Sequence, residues 1–228
     1  MESPFTAAAR ERDAVFAEMS AATDRLLAEH GPSVRERLLL CLVADVCGQT
    51  FGPSFTAHVG AARDHGLTAD DLRELLRFIA YDSGYPAALA ALDRLAAVEH
   101  DLGLPGSTGR AHEVNADGAG SPIPKAARAR VRALDAPFAD YMDLQSRMRA
   151  GMSQLSVRER AFATITVDVL YQTLAESFSL HVTRALGAGA TPDEVRGVVR
   201  YTARFGMTRA WRALHVLDGL LAERAVGV

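Results

Sequence analysis

Polar side chains that recur inside apolar stretches mark where this sequence could do chemistry, because a buried polar group costs free energy unless it finds a partner. The unbroken apolar run from Leu38 to Ala44 leads into Asp45 and Gln49, one helical turn apart and so on one face. Asp168 and Gln172 repeat the pair. On the segment that follows each pair, His58 comes one turn after Ser54 and His181 one turn after Ser177, with Glu176 beside the second serine. Imidazole exchanges a proton near neutral pH, which makes His58 and His181 the acid-base candidates. The Asp and Gln side chains read in two ways. They face a shared cavity, a carboxylate and an amide able to orient or bind a small molecule, or they are structural, with Asp45 and Asp168 paired to a repeated arginine such as Arg73 or Arg77. A Ser-His nucleophilic dyad fits the spacing, but no strained elbow presents the serine, and capping is the commoner role so close to a helix start.

Other chemistries find no support. The two repeated histidines lie in separate copies, and nothing resembles His-Glu-x-x-His or paired Cys-x-x-Cys, so no metal site is expected. No glycine-rich phosphate loop follows a strand, and no cofactor is expected. Cys41 and Cys47 are six apart in an apolar run that reads as helix, point to different faces and cannot bridge each other. Lys125, Arg128, Arg130 and Arg132 make a short basic run that reads as a solvated face or a subunit contact. Trp211, Tyr85 and Phe51 read as core residues or as the lining of an apolar pocket.

The elements that must position these groups are written twice. Arg35-Glu36-Arg37 returns as Arg158-Glu159-Arg160, and at the same offset Asp45, Gln49, Thr50, Ser54, Phe55, His58, Gly66, Thr68, Asp70, Arg73 and Arg77 all reappear. After Ala80 and Ala203 the second copy is one residue shorter, so Gly84 pairs with Gly206. The reading divides the chain into a first repeat over 1–102, a Gly/Ser/Pro-rich linker over 103–124 and a second repeat over 125–228. Capping boxes at Ser33/Glu36, Thr68/Asp71, Ser156/Glu159 and Thr191/Glu194 start helices, and Gly66 and Gly189 stop them. Five helices per copy follow, at about 6–30, 34–50, 53–65, 69–82 and 86–101, then about 126–150, 157–173, 175–188, 192–204 and 208–224. No alternating strand pattern appears, and the fold class is all-α.

The 228 residues are 49% apolar and 23% charged, an ordinary globular balance. A net charge of −3 lacks the positive field that nucleic acid or an anionic membrane would need, so neither is an expected partner. The first residues carry no basic-then-apolar signal pattern and no stretch approaches the ~20 apolar residues of a membrane span; a soluble, cytoplasmic protein is expected.

The string Phe55-Thr-Ala-His58, then Gly66-Leu-Thr68-x-x-Asp71-Leu, continuing to Gly84-Tyr85-Pro86-Ala87-Ala88, resembles the carboxymuconolactone decarboxylase family, which also includes alkylhydroperoxidase-type thiol enzymes. The likeness covers Arg35 to about Glu99 and Arg158 to about Glu223. It implies two tandem five-helix repeats of that fold, with His58 and His181 at the family histidine. The thiol-peroxidase branch carries Cys-x-x-Cys ending four residues before that histidine; Phe51 and Ser54, or Leu174 and Ser177, stand there instead, which excludes that chemistry. The decarboxylase branch commonly has a glutamate where Ser54 and Ser177 stand, with Glu176 one position off in the second copy. The resemblance implies a cofactor-independent lyase or proton-transfer isomerase for a small carboxylated or polyketide-like substrate, with Gln49 or Gln172 holding an oxygen. The alternative is a non-catalytic small-molecule-binding or assembly protein. Family members generally form rings of single domains, so a fused pair implies a homo-oligomer, a trimer with six pseudo-equivalent domains. The first copy keeps the family spacing through Gly84-Tyr85-Pro86, which makes His58 the expected working residue and His181 the reserve.

Overall fold

The computed structural model describes residues 4–107, 114–117 and 123–226. Half of the 103–124 linker, Gly109, Gly118, Gly120 and Pro122 included, lies outside the described residues. Twelve α-helices are present among the described residues, with no strand: α1 Pro4–Arg10, α2 Ala14–Glu29, α3 Val34–Gly48, α4 Pro53–Asp64, α5 Ala69–Ser83, α6 Tyr85–Asp101, α7 Lys125–Leu134, α8 Ala136–Arg149, α9 Val157–Tyr171, α10 Glu176–Gly187, α11 Pro192–Tyr201 and α12 Met207–Val226, with a 3₁₀ turn at Thr202–Phe205. None is long and apolar enough to cross a membrane.

All four capping boxes form. Ser33, Thr68, Ser156 and Thr191 each accept from the amide three residues on, and Glu36, Asp71, Glu159 and Glu194 reach back to the cap amide. Gly66 and Gly189 adopt φ of 83° and 87°, the left-handed turn that closes α4 and α10. The leading helix of each copy is broken, contrary to the single helix expected over 6–30 and 126–150. Asp13 and Asp135 stand extended between the halves, each accepting the amide of the residue three further on, Phe16 and Phe138. A side-chain cap supplies the partner that an interrupted helix would otherwise lack. The residue missing from the second copy falls where α11 tightens into the 3₁₀ turn. Four 3₁₀ residues rise about 8 Å and five α residues about 7.5 Å, so the shorter copy spans the same distance.

The chain divides into two compact units, which are a different partition from the sequence copies. One unit runs from the start to Ser107 and resumes from Leu155 onward; α3 and α9, the equivalent helices of the two copies, pack against each other within it. Their first turns exchange ion pairs in both directions: Arg35 Nε donates to Glu159 Oε1 at 2.6 Å and Arg158 Nε to Glu36 Oε1 at 2.8 Å. Arg35 also pairs with Asp71, and Arg158 with Glu194. Equivalent residues thus make equivalent bonds across a pseudo-twofold relation. Phe55 and Phe178, equivalent and fully buried, fill corresponding places in the core. The other unit, residues 108–154, holds α7 and α8, where Arg128 pairs with Asp143 and Arg132 with Asp140. The basic run is therefore partly neutralised by its own neighbouring helix.

Candidate active site

Each apolar run delivers its aspartate to the last turn of a helix, α3 or α9, and the chain then reverses sharply. Gln49 and Gln172 make the reversal, at φ of 52° and 61°, the left-handed region that side-chain-bearing residues rarely occupy. This brings the Thr50 amide onto the Asp45 carbonyl at 2.8 Å and the Thr173 amide onto that of Asp168 at 3.0 Å. The next helix, α4 or α10, then starts close enough to lay its serine and histidine against the carboxylate.

The result is one constellation built twice. Asp45 Oδ2 lies 2.6 Å from His58 Nδ1, while its Oδ1 accepts Thr50 Oγ1 at 3.1 Å and Ser54 Oγ at 3.2 Å. Asp168 Oδ2 lies 2.6 Å from His181 Nδ1, and its Oδ1 accepts Thr173 Oγ1 and Ser177 Oγ, both at 2.7 Å. Asp45 and His58 are only 5% and 6% exposed. Burial alone would lower the affinity of His58 for its second proton, but the Cys41 sulfur and the Asp45 carboxylate outweigh it and push the pKa up to about 10.

Asp45, Ser54 and His58 are thus brought together, as are Asp168, Ser177 and His181. Gln49 is exposed. Gln172 spends its amide nitrogen on the carbonyls of Val169 and Arg209. Glu176 is exposed on the first turn of α10, outside the cluster. The arginine pairing considered for the aspartates does not occur. Arg73 donates to Glu99 at 2.6 and 2.9 Å, and the histidine takes its place at Asp45. Neither serine caps a helix; the N-cap positions are Gly52 and Ala175, and the Ser54 and Ser177 hydroxyls point to aspartate rather than histidine. Thr50 and Thr173 were visible as repeated residues, yet only the chain reversal shows that they belong to the cluster. Phe5 of α1 lies nearly parallel to the His58 ring, 6.3 Å between centroids, with no sequence signal to place it there.

A cavity of about 320 Å³ opens beside Asp45 and Thr50, walled further by Cys47, Tyr171, Phe205 and Arg209. Burial pushes the Cys47 thiol up to about 12, and burial together with Cys47 pushes the Tyr171 phenol up to about 12. Arg209 makes no ion pair among the described residues. Tyr85 and Trp211 stand on the surface rather than in core or pocket, and Phe51 packs edge-on against Phe55. Among the described residues no group of three or more His, Cys, Asp or Glu side chains is placed to hold a metal ion.

An all-helical tandem repeat with a buried Asp-His pair at the same point of each copy defines the class, and the sequence profile that matches it twice is that of the carboxymuconolactone decarboxylase family, over residues 13–97 and 138–219. The chain belongs to that family. Its fold is similar to a crystal structure from Burkholderia xenovorans LB400 described as a candidate gamma-carboxymuconolactone decarboxylase subunit, at TM-score 0.50 and 20% identity, covering 96% of this chain and 88% of that one. No curated protein matches the chain.

Proposed function

We propose that the protein is a cofactor-independent decarboxylase of a small carboxylated or polyketide-like metabolite, with the proton held on the His58–Asp45 pair as the one delivered to product. The observation that carries this is the 2.6 Å bond between buried partners; the Cys41 sulfur and the Asp45 carboxylate together push the His58 pKa up to about 10, which keeps the ring protonated at neutral pH. Loss of carbon dioxide beside a carbonyl leaves an enolate, and the remaining step is protonation of carbon, which needs an acid. A proton-shift isomerisation uses the same groups but begins with removal of a proton, for which an imidazolium is in the wrong state. Arg209, free of carboxylate partners on the cavity wall, suits a substrate carboxylate. A volume of about 320 Å³ fits a small metabolite. Thiol peroxidase chemistry is disfavoured by a Cys47 thiol that stays protonated.

A second reading, a binding or assembly protein, is favoured by the closure of the cluster: every Asp45 oxygen is bonded within the chain, tying α3 to α4. Incubation with a panel of small carboxylic and polyketide-type acids, scored by carbon dioxide release and product mass, separates the two. Turnover in the wild type that is lost in His58→Gln supports the decarboxylase; saturable binding without turnover supports the alternative. The protein is further proposed to assemble as a homotrimer.

A further inference from the structure

The two Asp-His pairs are alike on the aspartate side and differ on the other side of the ring. Cys41 stands one turn before Asp45 on α3, so both face α4. It is buried, and its sulfur lies close enough to the His58 ring to help raise the ring's pKa. Since Nδ1 is taken by Asp45, the nitrogen left for the sulfur is Nε2. The Cys41 sulfur is in turn 3.2 Å from the hydroxyl of Tyr201, which comes from α11 of the second copy. Burial, with Cys41 beside it, raises the Tyr201 phenol well above its ordinary range, so Tyr201 keeps its proton and donates to sulfur. The equivalent positions in the other half of the duplication are Thr164 for Cys41 and Phe78 for Tyr201. Thr164 turns its hydroxyl onto the Arg160 and Ala161 carbonyls of its own helix, and Phe78 has no hydroxyl to offer.

We propose that Cys41 and Tyr201 are positioning residues that complete the His58 site across the two copies: the sulfur accepts the second ring N–H, the Tyr201 hydroxyl orients the sulfur, and the second copy has no equivalent of this arrangement around His181. The inference rests on the decarboxylase reading for what the held proton is used for, but the arrangement itself is independent of it. It gives the two histidines different surroundings: a ring with an acceptor at each nitrogen keeps its second proton more readily than one without. The other groups around α4 do not supply this. From α1 the ring meets Phe5, which Arg204 covers at 5.3 Å while pairing with Asp24. From α6, Arg94 is taken by Thr56 and Glu99 by Arg63 and Arg73.

The test exchanges residues that the duplication itself shows to be tolerated at equivalent positions. The ring titration of His58 is followed by NMR in the wild type, Tyr201→Phe, Cys41→Thr and the pair, with helicity checked by circular dichroism. Each exchange is expected to lower the His58 midpoint, by about one pH unit or more for Cys41→Thr, the size of one hydrogen bond to a charged group. The reciprocal Thr164→Cys with Phe78→Tyr is expected to raise the His181 midpoint. An unchanged His58 midpoint in both Cys41→Thr and Tyr201→Phe overturns the proposal. If Cys41→Thr fails to fold, Tyr201→Phe and the reciprocal pair decide it in the same way. Because ring titration is read without turnover, loss of the decarboxylase reading and loss of this arrangement are separate results.

Discussion

At the residue scale the governing fact is an imidazole held at 2.6 Å from a buried carboxylate, with its pKa raised from 6.5 to about 10. A group whose folded pKa lies above its unfolded value binds its proton more tightly in the native state. The stability it contributes is complete below pH 6.5 and is lost as pH rises through about 10. The urea midpoint of the wild type should therefore fall across that window, and that of His58→Gln should fall less. Parallel curves for the two proteins would show that the pair carries no extra proton. The proposed decarboxylation, if this acid serves it, should decline toward high pH in step with the ring titration. Removing the carboxylate has a different cost. Asp45→Asn leaves His58 without its counter-charge and Thr50 and Ser54 without an acceptor, so a loss of about 3 kcal/mol is expected from chemical denaturation. Cys47, although on the cavity wall, is no nucleophile while its thiol is held at about 12; alkylation by iodoacetamide at pH 8 should be far slower than for a model thiol, and rapid labelling in the folded state would contradict the assignment.

At the scale of elements, the turns between helices decide what the side chains can reach. The spacing of Gln49 makes it a group facing substrate, yet its backbone does the visible work, reversing the chain at φ 52° so that Thr50 and Ser54 arrive at Asp45. Gln49→Gly relieves the left-handed strain and should raise stability by about 0.5–1 kcal/mol while leaving the cluster intact. Gln172→Gly should gain less, because it forfeits the bonds to Val169 and Arg209. If Gln49→Gly abolished turnover with unchanged stability, the side chain rather than the turn would be the working part. Much of the fold was legible because its signals are local: a capping Ser or Thr with Glu or Asp three residues on, a glycine past the last turn, and a fixed offset linking the copies. The break at Asp13 was not, since alanine-rich sequence on both sides reads as continuous helix and a single capping aspartate looks like any exposed charge, whereas Asp135 is followed by Pro137, a helix-start signal. The Asp-His pair could be listed but not assembled, because periodicity says which residues share a face of one helix and nothing about which faces meet. The Cys41–Tyr201 contact spans 160 residues and two copies, beyond any spacing argument.

At the scale of the whole molecule, the duplication leaves a mark on the outside as well as in the core. Several of the large apolar residues on the surface recur in equivalent pairs, among them Val34 with Val157, Tyr85 with Met207, and Leu89 with Trp211. Single exposed apolar residues are ordinary and carry no message. Preservation of apolar character at the same position of both copies, on the first turns of α6 and α12, is different, since drift toward polar residues would have cost a solvent-facing helix nothing. Leu89 and Trp211 are 60% and 64% exposed in the single chain, too open to be held for internal packing. A surface that repeats itself within one chain suits an assembly in which each copy meets an equivalent neighbour, and a closed ring of three chains gives all six copies such a neighbour. Light scattering should therefore return a mass three times the 24.4 kDa of the chain. Trp211→Glu, or Leu89→Glu, should lower that mass without loss of helicity, because each puts a charge where burial is expected and Trp211 gives up only its edge-on contact with the His215 ring one turn on. Both substitutions leaving a trimer intact would place the interface elsewhere, and a wild-type mass near 24.4 kDa would remove the ring altogether.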